Sequence, residues 1–268
     1  MKEGFIILSE VTVNGRKLFY RGNDGGFSAD RKTIVFIHGS GGSHEDWNQQ
    51  IIPLKNDFNI AALDLPGHGQ SEGDGESDVF AYVAIVERFI KTARILKPVL
   101  IGHSLGAAIC LGFAIRYGDS ASAIVPVGGG VKMPVNALIL DGFKNDPDST
   151  IAMIAKFSVT KTHREKYAGL ITEAISRVSP EIIHGDFTAC SRLDITEKIS
   201  GITIPTLVIC GSEDKMTPPV FSEYLSNNIP GAKLCLIPEA GHFVMLENPK
   251  EFNNTLANFV NSLPTGVF

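Results

Sequence analysis

A serine flanked by glycines, in the sequence Gly-His-Ser-Leu-Gly at positions 102–106, is the first group that could do covalent chemistry. A serine hydroxyl is a weak nucleophile, so a protein that uses one must expose it and place a base beside it. The apolar run 99–101 predicts a strand before Ser104, and the residues after it predict a helix that ends at Gly118. A tight strand-to-helix turn exposes the hydroxyl, because its glycines let the two elements approach closely. The pattern therefore predicts Ser104 as a nucleophile.

The base and the acid that would activate this serine follow it in the chain. Asp214 comes just after a predicted strand at 205–210, and His242 follows the last predicted strand at 233–237. The carboxyl ends of parallel strands meet at one edge of an open sheet, so we expect both side chains near Ser104. The order serine, acid, histidine is the one that accompanies such a strand-turn-helix serine.

Elimination supports these two assignments. His242 is the only histidine after His184, so it is the predicted base. The histidines that stand in the wrong chain order are His38, His68 and His103. Glu213, directly before Asp214, stays open as an alternative acid.

The negative oxygen that forms when a serine attacks a carbonyl needs hydrogen-bond donors aimed at it. We expect one donor to be the backbone N–H of Leu105, directly after the nucleophile. The second should come from the loop His-Gly-Ser-Gly-Gly at 38–42, where the N–H of Ser40 is the first choice and that of Gly41 the alternative.

Several motifs occur together along the chain. They are the loop 38–42 with Trp47, the sequence Asp-Leu-Pro-Gly-His-Gly-Gln-Ser at 64–71, the serine turn at 102–106, the segment 211–218 and the pair Gly241-His242. In this combination the chain resembles the α/β-hydrolase superfamily, and is most similar to its small bacterial esterases, enol-lactonases and cofactor-free perhydrolase-like members. The resemblance covers roughly 30–128 and 200–264.

The resemblance implies an α/β-hydrolase fold with a mostly parallel, eight-stranded sheet and helices on both faces. It also implies that His38 and His68 shape loops. A serine nucleophile separates the chain from relatives that use an aspartate, such as haloalkane dehalogenases and epoxide hydrolases.

The pattern of elements agrees with this fold class. Short β-branched runs alternate with helical patterns, which favours a largely parallel sheet covered on both faces. The first two runs have no helix between them and predict an antiparallel edge. The eight predicted strands are 5–13, 17–21, 33–37, 60–63, 99–101, 123–127, 205–210 and 233–237.

The alternation stops between about 130 and 199, where helical patterns at 151–157 and 167–178 occur without a convincing strand. We interpret 131–198 as a helical cap inserted after strand 6, with 1–130 and 199–268 forming the core. Long insertions of this kind usually serve as lids or binding loops. The apolar side chains that could line a substrate pocket are Met133, Val135, Leu138, Ile139, Phe143, Met153, Ile154, Phe157, Phe243 and Val244. Of these we select Met133, Leu138, Met153, Phe157 and Phe243.

Bulk composition excludes several classes of protein. The 268 residues carry a formal net charge of −5, which gives no electrostatic footprint for nucleic acid or an anionic membrane surface. No run reaches the roughly 18 apolar residues of a membrane span. The four cysteines show neither pairing nor metal-ligand spacing, so we expect reduced thiols in the cytoplasm. Acyl transfer by the three residues above requires no metal and no cofactor.

These features together predict a serine hydrolase that transfers an acyl group from a small-molecule ester to water, as a monomer or homodimer. A lactonase, a thioesterase, a carbon–carbon bond hydrolase and an acyltransferase remain alternatives on the same three residues. A hydrolase-like small-molecule receptor or signalling partner is an alternative from another class, because such proteins can keep all three residues.

Overall fold

The sheet has eight strands in the order β1-β2-β4-β3-β5-β6-β7-β8 in a computed structural model that describes residues 5–264. β1 and β2 form an antiparallel edge, and β3 to β8 pair in parallel. All eight predicted strands are confirmed, with ends shifted by at most two residues. They are β1 (Ile6–Val13), β2 (Arg16–Asn23), β3 (Thr33–Ile37), β4 (Asn59–Leu63), β5 (Val99–His103), β6 (Ala123–Val127), β7 (Leu207–Gly211) and β8 (Lys233–Ile237). The outermost residues of the predicted core, 1–4 and 265–268, lie outside the described part.

Helices cover the sheet on both faces. They are α1 (Asn48–Leu54), α2 (Val79–Thr92), α3 (Leu105–Tyr117), α4 (Ala137–Asn145), α5 (Pro147–Ser158), α6 (Arg164–Ile175), α7 (Pro180–Arg192), α8 (Pro219–Asn228), α9 (Val244–Glu247) and α10 (Pro249–Ser262). The five residues of β3 are all buried, and they alternate between the two layers. Val35 and Ile37 pack in the layer of α2 and α3, whereas Ile34 and Phe36 pack in the layer of α1 and α10. A strand buried on both faces explains the continuous apolar runs in the sequence.

Local capping fixes where the helices begin. Asp78 accepts the N–H groups of Phe80 and Ala81 and starts α2. Asn248 accepts the N–H of Glu251 and starts α10. Thr217, which precedes Pro218, does not cap α8, because its hydroxyl donates to Asp214 instead.

The chain between β6 and β7 forms four helices, α4 to α7, which we call the cap. The cap has an apolar cluster of its own, separate from the two layers against the sheet. The members that anchor it include Phe143, Ile154, Ile171 and Ile183. Within residues 5–264, no helix combines the length and the apolar character that a membrane crossing requires.

Candidate active site

Ser104 occupies a strained turn between β5 and α3. Its backbone angles are φ 53° and ψ −110°, in the positive-φ region that residues with a side chain rarely adopt. A Cβ on Gly102 would lie 2.0 Å from the carbonyl oxygen of Gly106, and a Cβ on Gly106 would lie 2.3 Å from the carbonyl oxygen of Ile37. A side chain at either position would clash with the backbone, so the turn requires glycine at both. The two glycines therefore allow the close approach of strand and helix that places Ser104 at the end of the sheet.

His242 and Asp214 meet at the same edge of the sheet. The Nδ1 atom of His242 lies 2.8 Å from Oδ2 of Asp214, and both side chains are almost completely buried. The Thr217 hydroxyl donates to the same Oδ2 at 2.9 Å. Glu213, the alternative acid, is exposed, so the structure brings Asp214 and not Glu213 to the imidazole.

Asp214 is held as a carboxylate. Burial by itself would raise its pKa, but the charge and hydrogen bond of His242 outweigh burial and lower the pKa below its ordinary value. The N–H groups of Met216 and Thr217 support the negative charge by donating to Oδ1 at 2.8 and 2.9 Å. An ionised acid in this position accepts the Nδ1 proton of His242 and leaves Nε2 free to accept a proton.

The loop after β3 passes directly beside the serine. A Cβ on Gly39 would lie 3.3 Å from the Cβ of Ser104, which shows how closely the two backbones approach. The N–H of Gly41 already donates to Asp186 at 3.0 Å, so the alternative donor is engaged elsewhere. The N–H groups of Ser40 and of Leu105, the first residue of α3, remain the candidates for binding an oxyanion.

A cavity of about 580 Å³ opens over these groups and is lined by both Ser104 and His242. Of the predicted pocket residues, Met133 and Phe243 line it. Leu138, Met153 and Phe157 do not, and all three are exposed on the outside of the cap. The prediction for these three is wrong because helical periodicity turns them outward. Their neighbours Ile139 and Ile154 line the cavity instead.

The loop that carries His242 is bonded to the cap. The N–H of His242 donates to the carbonyl oxygen of Ser158, the last residue of α5, at 2.8 Å. The buried carboxylate of Glu247 accepts the N–H of Gly241 and that of Thr160, each at 2.8 Å. No local pattern in the sequence indicates this bridge, which joins Gly241 to the cap.

Three further histidines surround the site. His103 donates from Nε2 to the carbonyl oxygen of His242 at 3.0 Å, and burial holds its pKa well below the ordinary value. Burial likewise lowers the pKa of His38 to about 4, so its ring is neutral and accepts the N–H of Leu65 at Nε2. His38 packs against His68 with ring centres 4.8 Å apart. These contacts agree with the loop-shaping roles that the resemblance implies for His38 and His68.

The comparison with protein families decides the identity of the fold. The model of the alpha/beta hydrolase fold family matches residues 32–249. The chain belongs to the alpha/beta hydrolase fold family. This match includes the serine turn, both oxyanion-loop candidates and the segments that carry Asp214 and His242.

Individual relatives of this α/β hydrolase are distant. The dihydrolipoyllysine-residue acetyltransferase component of the acetoin cleaving system of Cupriavidus necator is 26% identical over 260 residues, which are 91% of this chain and 66% of that protein. The solved structure of a thermophilic esterase is 31% identical, with a TM-score of 0.82 and coverage of 96% of this chain and 98% of its own. The enol-lactonase from Burkholderia xenovorans LB400 is 21% identical, with a TM-score of 0.87 and coverage of 95% and 100%, and it shows the shared fold.

Proposed function

We propose that this chain is a serine hydrolase that cleaves carboxylic esters of small molecules through an acyl-enzyme intermediate. The observation that carries the proposal is that Ser104, in its strained turn, lines the same cavity as His242, whose Nδ1 atom is bonded to Asp214. A nucleophile, a base and an acid that orients the base are the three groups that acyl transfer by serine requires.

In the first half of the reaction, Oγ of Ser104 attacks the ester carbonyl carbon while its proton moves to Nε2 of His242. The carbonyl oxygen becomes negative and accepts the N–H groups of Ser40 and Leu105. Asp214 stabilises the imidazolium through the Nδ1 hydrogen bond. His242 then returns the proton to the departing alcohol, and the acyl group stays on Ser104 as an ester.

In the second half, water replaces the alcohol. His242 takes a proton from the water as it attacks the acyl carbon, and the same N–H groups hold the new oxyanion. The proton then returns from Nε2 to Oγ of Ser104, and the carboxylic acid leaves. His242 carries each proton that Ser104 or water gives up and returns it to the alcohol or to Ser104, so the enzyme ends the cycle in its starting state.

The cavity favours an uncharged acyl group of modest size. Much of its wall is apolar, contributed by cap residues such as Ile139, Ile154 and Ile171. Asp46 also lines it, and no ion pair to Asp46 is formed within the described part of the chain. Lys215 and Arg177 line the cavity as well, so charges of both signs stand at its wall and the preference for an uncharged group rests on the apolar cap residues.

The experiment that tests the proposal is a panel of purified substrates with one acyl series presented as p-nitrophenyl esters, lactones and acyl-CoA thioesters. Ester hydrolysis with kcat/KM well above that for the other two supports the proposal. The relative named as a thermophilic esterase favours the ester arm. A preference for lactones or thioesters would assign the same residues to one of those bonds instead.

The receptor alternative makes a different prediction in the same assay. A receptor would release one equivalent of p-nitrophenol in a burst and then turn over negligibly, whereas an esterase continues at a steady rate. We propose a cytoplasmic protein, supported by four free cysteines, which fit a reducing compartment.

A further inference from the structure

A buried acid in the cap lies next to the loop that carries the proposed oxyanion donor Ser40. Asp186, in the middle of α7, has no solvent exposure. Its Oδ2 atom accepts the N–H of Gly41 at 3.0 Å and lies 2.9 Å from Nε2 of His68, while Oδ1 accepts the Tyr82 hydroxyl at 2.6 Å. One carboxylate thus joins the cap to three separate segments of the core.

Two other residues of α7 contact the same loop. A Cβ on Gly41 would lie 3.4 Å from Cγ1 of Ile183, one turn before Asp186. Cys190, one turn after Asp186, is buried beside the Ser40 side chain, and both residues line the cavity. The buried face of α7 therefore runs along Ser40 and Gly41, with Asp186 supplying the bond to the backbone.

His68 completes the charge balance around this carboxylate. Its Nδ1 atom lies 3.0 Å from the carbonyl oxygen of Pro66 and its Nε2 atom lies 2.9 Å from Oδ2 of Asp186, so both ring nitrogens face acceptors, which favours the imidazolium form. Burial by itself would lower the pKa of His68, but Asp186 outweighs burial and raises it. A buried carboxylate that is paired and fully hydrogen-bonded holds its partners firmly.

We propose that Asp186 is a positioning residue for the oxyanion hole, holding the Ser40–Gly41 backbone in place from the cap. The proposal rests on the proposed function, since it assigns the Ser40 N–H to the oxyanion. The Gly41 N–H, fixed by Asp186, follows Ser40 by one peptide unit, so releasing it frees the loop to rotate the Ser40 N–H away from the reacting carbonyl. A donor displaced by about 1 Å loses much of its effect on the transition state.

The test uses three variants of the whole protein. Asp186→Ala removes both acceptor oxygens, and Asp186→Asn keeps the shape but removes the charge and one acceptor. Tyr82→Phe is the matched control, because it removes the Oδ1 partner and leaves the bonds from Oδ2 to Gly41 and His68 intact. Thermal unfolding of each variant sets an assay temperature at which all three are folded.

Three measurements follow on each variant. These are kcat and KM for a p-nitrophenyl ester, the inhibition constant of a trifluoromethyl ketone, and the hydrogen-exchange rate of the Gly41 amide by NMR. The ketone forms a tetrahedral adduct with serine, so its oxyanion probes the donors directly. The exchange rate reports on the Gly41 bond without any need for activity.

We expect Asp186→Ala to lower kcat by roughly ten- to a hundredfold with KM nearly unchanged. The inhibition constant of the ketone should rise by a similar factor, and the Gly41 amide should exchange faster. Asp186→Asn should show smaller changes in the same direction, and Tyr82→Phe should keep the wild-type kcat. If Asp186→Ala does not fold, Asp186→Asn decides the matter by the same comparison with Tyr82→Phe.

Two results would overturn the proposal. One is an unchanged Gly41 exchange rate in the Asp186 variants, and the other is a loss of kcat no larger than that of Tyr82→Phe. A wild-type protein with no activity on esters, lactones or thioesters would instead remove the proposed function. Gly41 exchange would then decide by itself whether Asp186 holds the loop.

Discussion

The N–H of His242 donates to the carbonyl oxygen of Ser158 at 2.8 Å, so the proposed base is bonded directly to the end of cap helix α5. The neighbouring N–H of Phe243 reaches the same oxygen at 3.2 Å. The cap therefore lines the cavity and also holds the backbone of the residue that carries the imidazole. Changes in the cap should reach the chemical step as well as substrate choice.

Glu247→Gln tests the bridge between the cap and the loop that carries His242. The Glu247 carboxylate accepts N–H groups from Gly241 and Thr160, one on each oxygen, whereas an amide offers a single acceptor oxygen. One buried N–H is left unpaired, which costs about 1–3 kcal/mol of stability. We expect kcat to fall roughly tenfold or more, since the loop of His242 loosens. The matched control is Glu251→Gln on the exposed side of α10, and equal activity in the two variants would contradict the role.

Asp214→Asn and Glu213→Gln test which acid orients the base. An amide at 214 would donate to Nδ1 and favour the wrong imidazole tautomer, so kcat should fall by on the order of 10⁴. Glu213 is exposed, and its variant should keep nearly all activity. The opposite ranking in a steady-state assay would move the acid to Glu213.

Neighbouring residues in the cap provide a matched test of the pocket. Ile154 and Ile139 line the cavity, whereas Met153 and Leu138, each one position earlier, are exposed. Ile154→Ala and Ile139→Ala should move the preferred acyl chain of p-nitrophenyl esters to greater length, because each removes several carbon atoms from the wall. Met153→Ala and Leu138→Ala should leave the chain-length profile unchanged. A shift in the exposed pair alone would restore the assignment made from sequence.

Asp46 gives the protein a predicted dependence of stability on pH. Burial, with the charges of Asp64 and Glu45, raises its pKa to about 7, while a hydrogen bond from Ser43 opposes the rise. A pKa raised on folding means that stability is present at low pH and is lost as pH rises through about 7. The slope of 1.36 kcal/mol for each unit applies between the ordinary pKa of 3.8 and the raised pKa of about 7, so the two units from pH 5 to pH 7 account for a loss of ~3 kcal/mol. Urea unfolding should show this loss in wild type relative to Asp46→Asn, and parallel pH curves for the two would contradict it.

The sheet and the reacting groups were predictable because local patterns encode them. The β3 strand is a continuous apolar run buried on both faces, and the glycines around Ser104 specify a turn that few other sequences make. The acid and base follow from their positions after β7 and β8 in the order of the chain. These features need no knowledge of distant contacts.

The cap was harder to predict for a physical reason. Leu138 and Ile139 are equally apolar, and only the packing of α4 decides which of them faces the cavity. The role of Asp186 depends on an N–H that is 145 residues away, and no local pattern encodes such a partner. One signal was available, since Asp186 shares a helix face with Ile183 and Cys190, where a charged residue must find buried partners.

The most direct test of the account is to look for the acyl group on Ser104. The protein is mixed with a p-nitrophenyl ester, stopped in acid during the burst of p-nitrophenol, and analysed by intact and peptide mass spectrometry. We predict one acyl group for each protein molecule, located on the peptide that contains Ser104. Ser104→Ala should carry no label and should lose on the order of 10⁶ in turnover while remaining folded. Steady turnover with the acyl group on another residue, or more than a few per cent of activity in Ser104→Ala, would contradict the account.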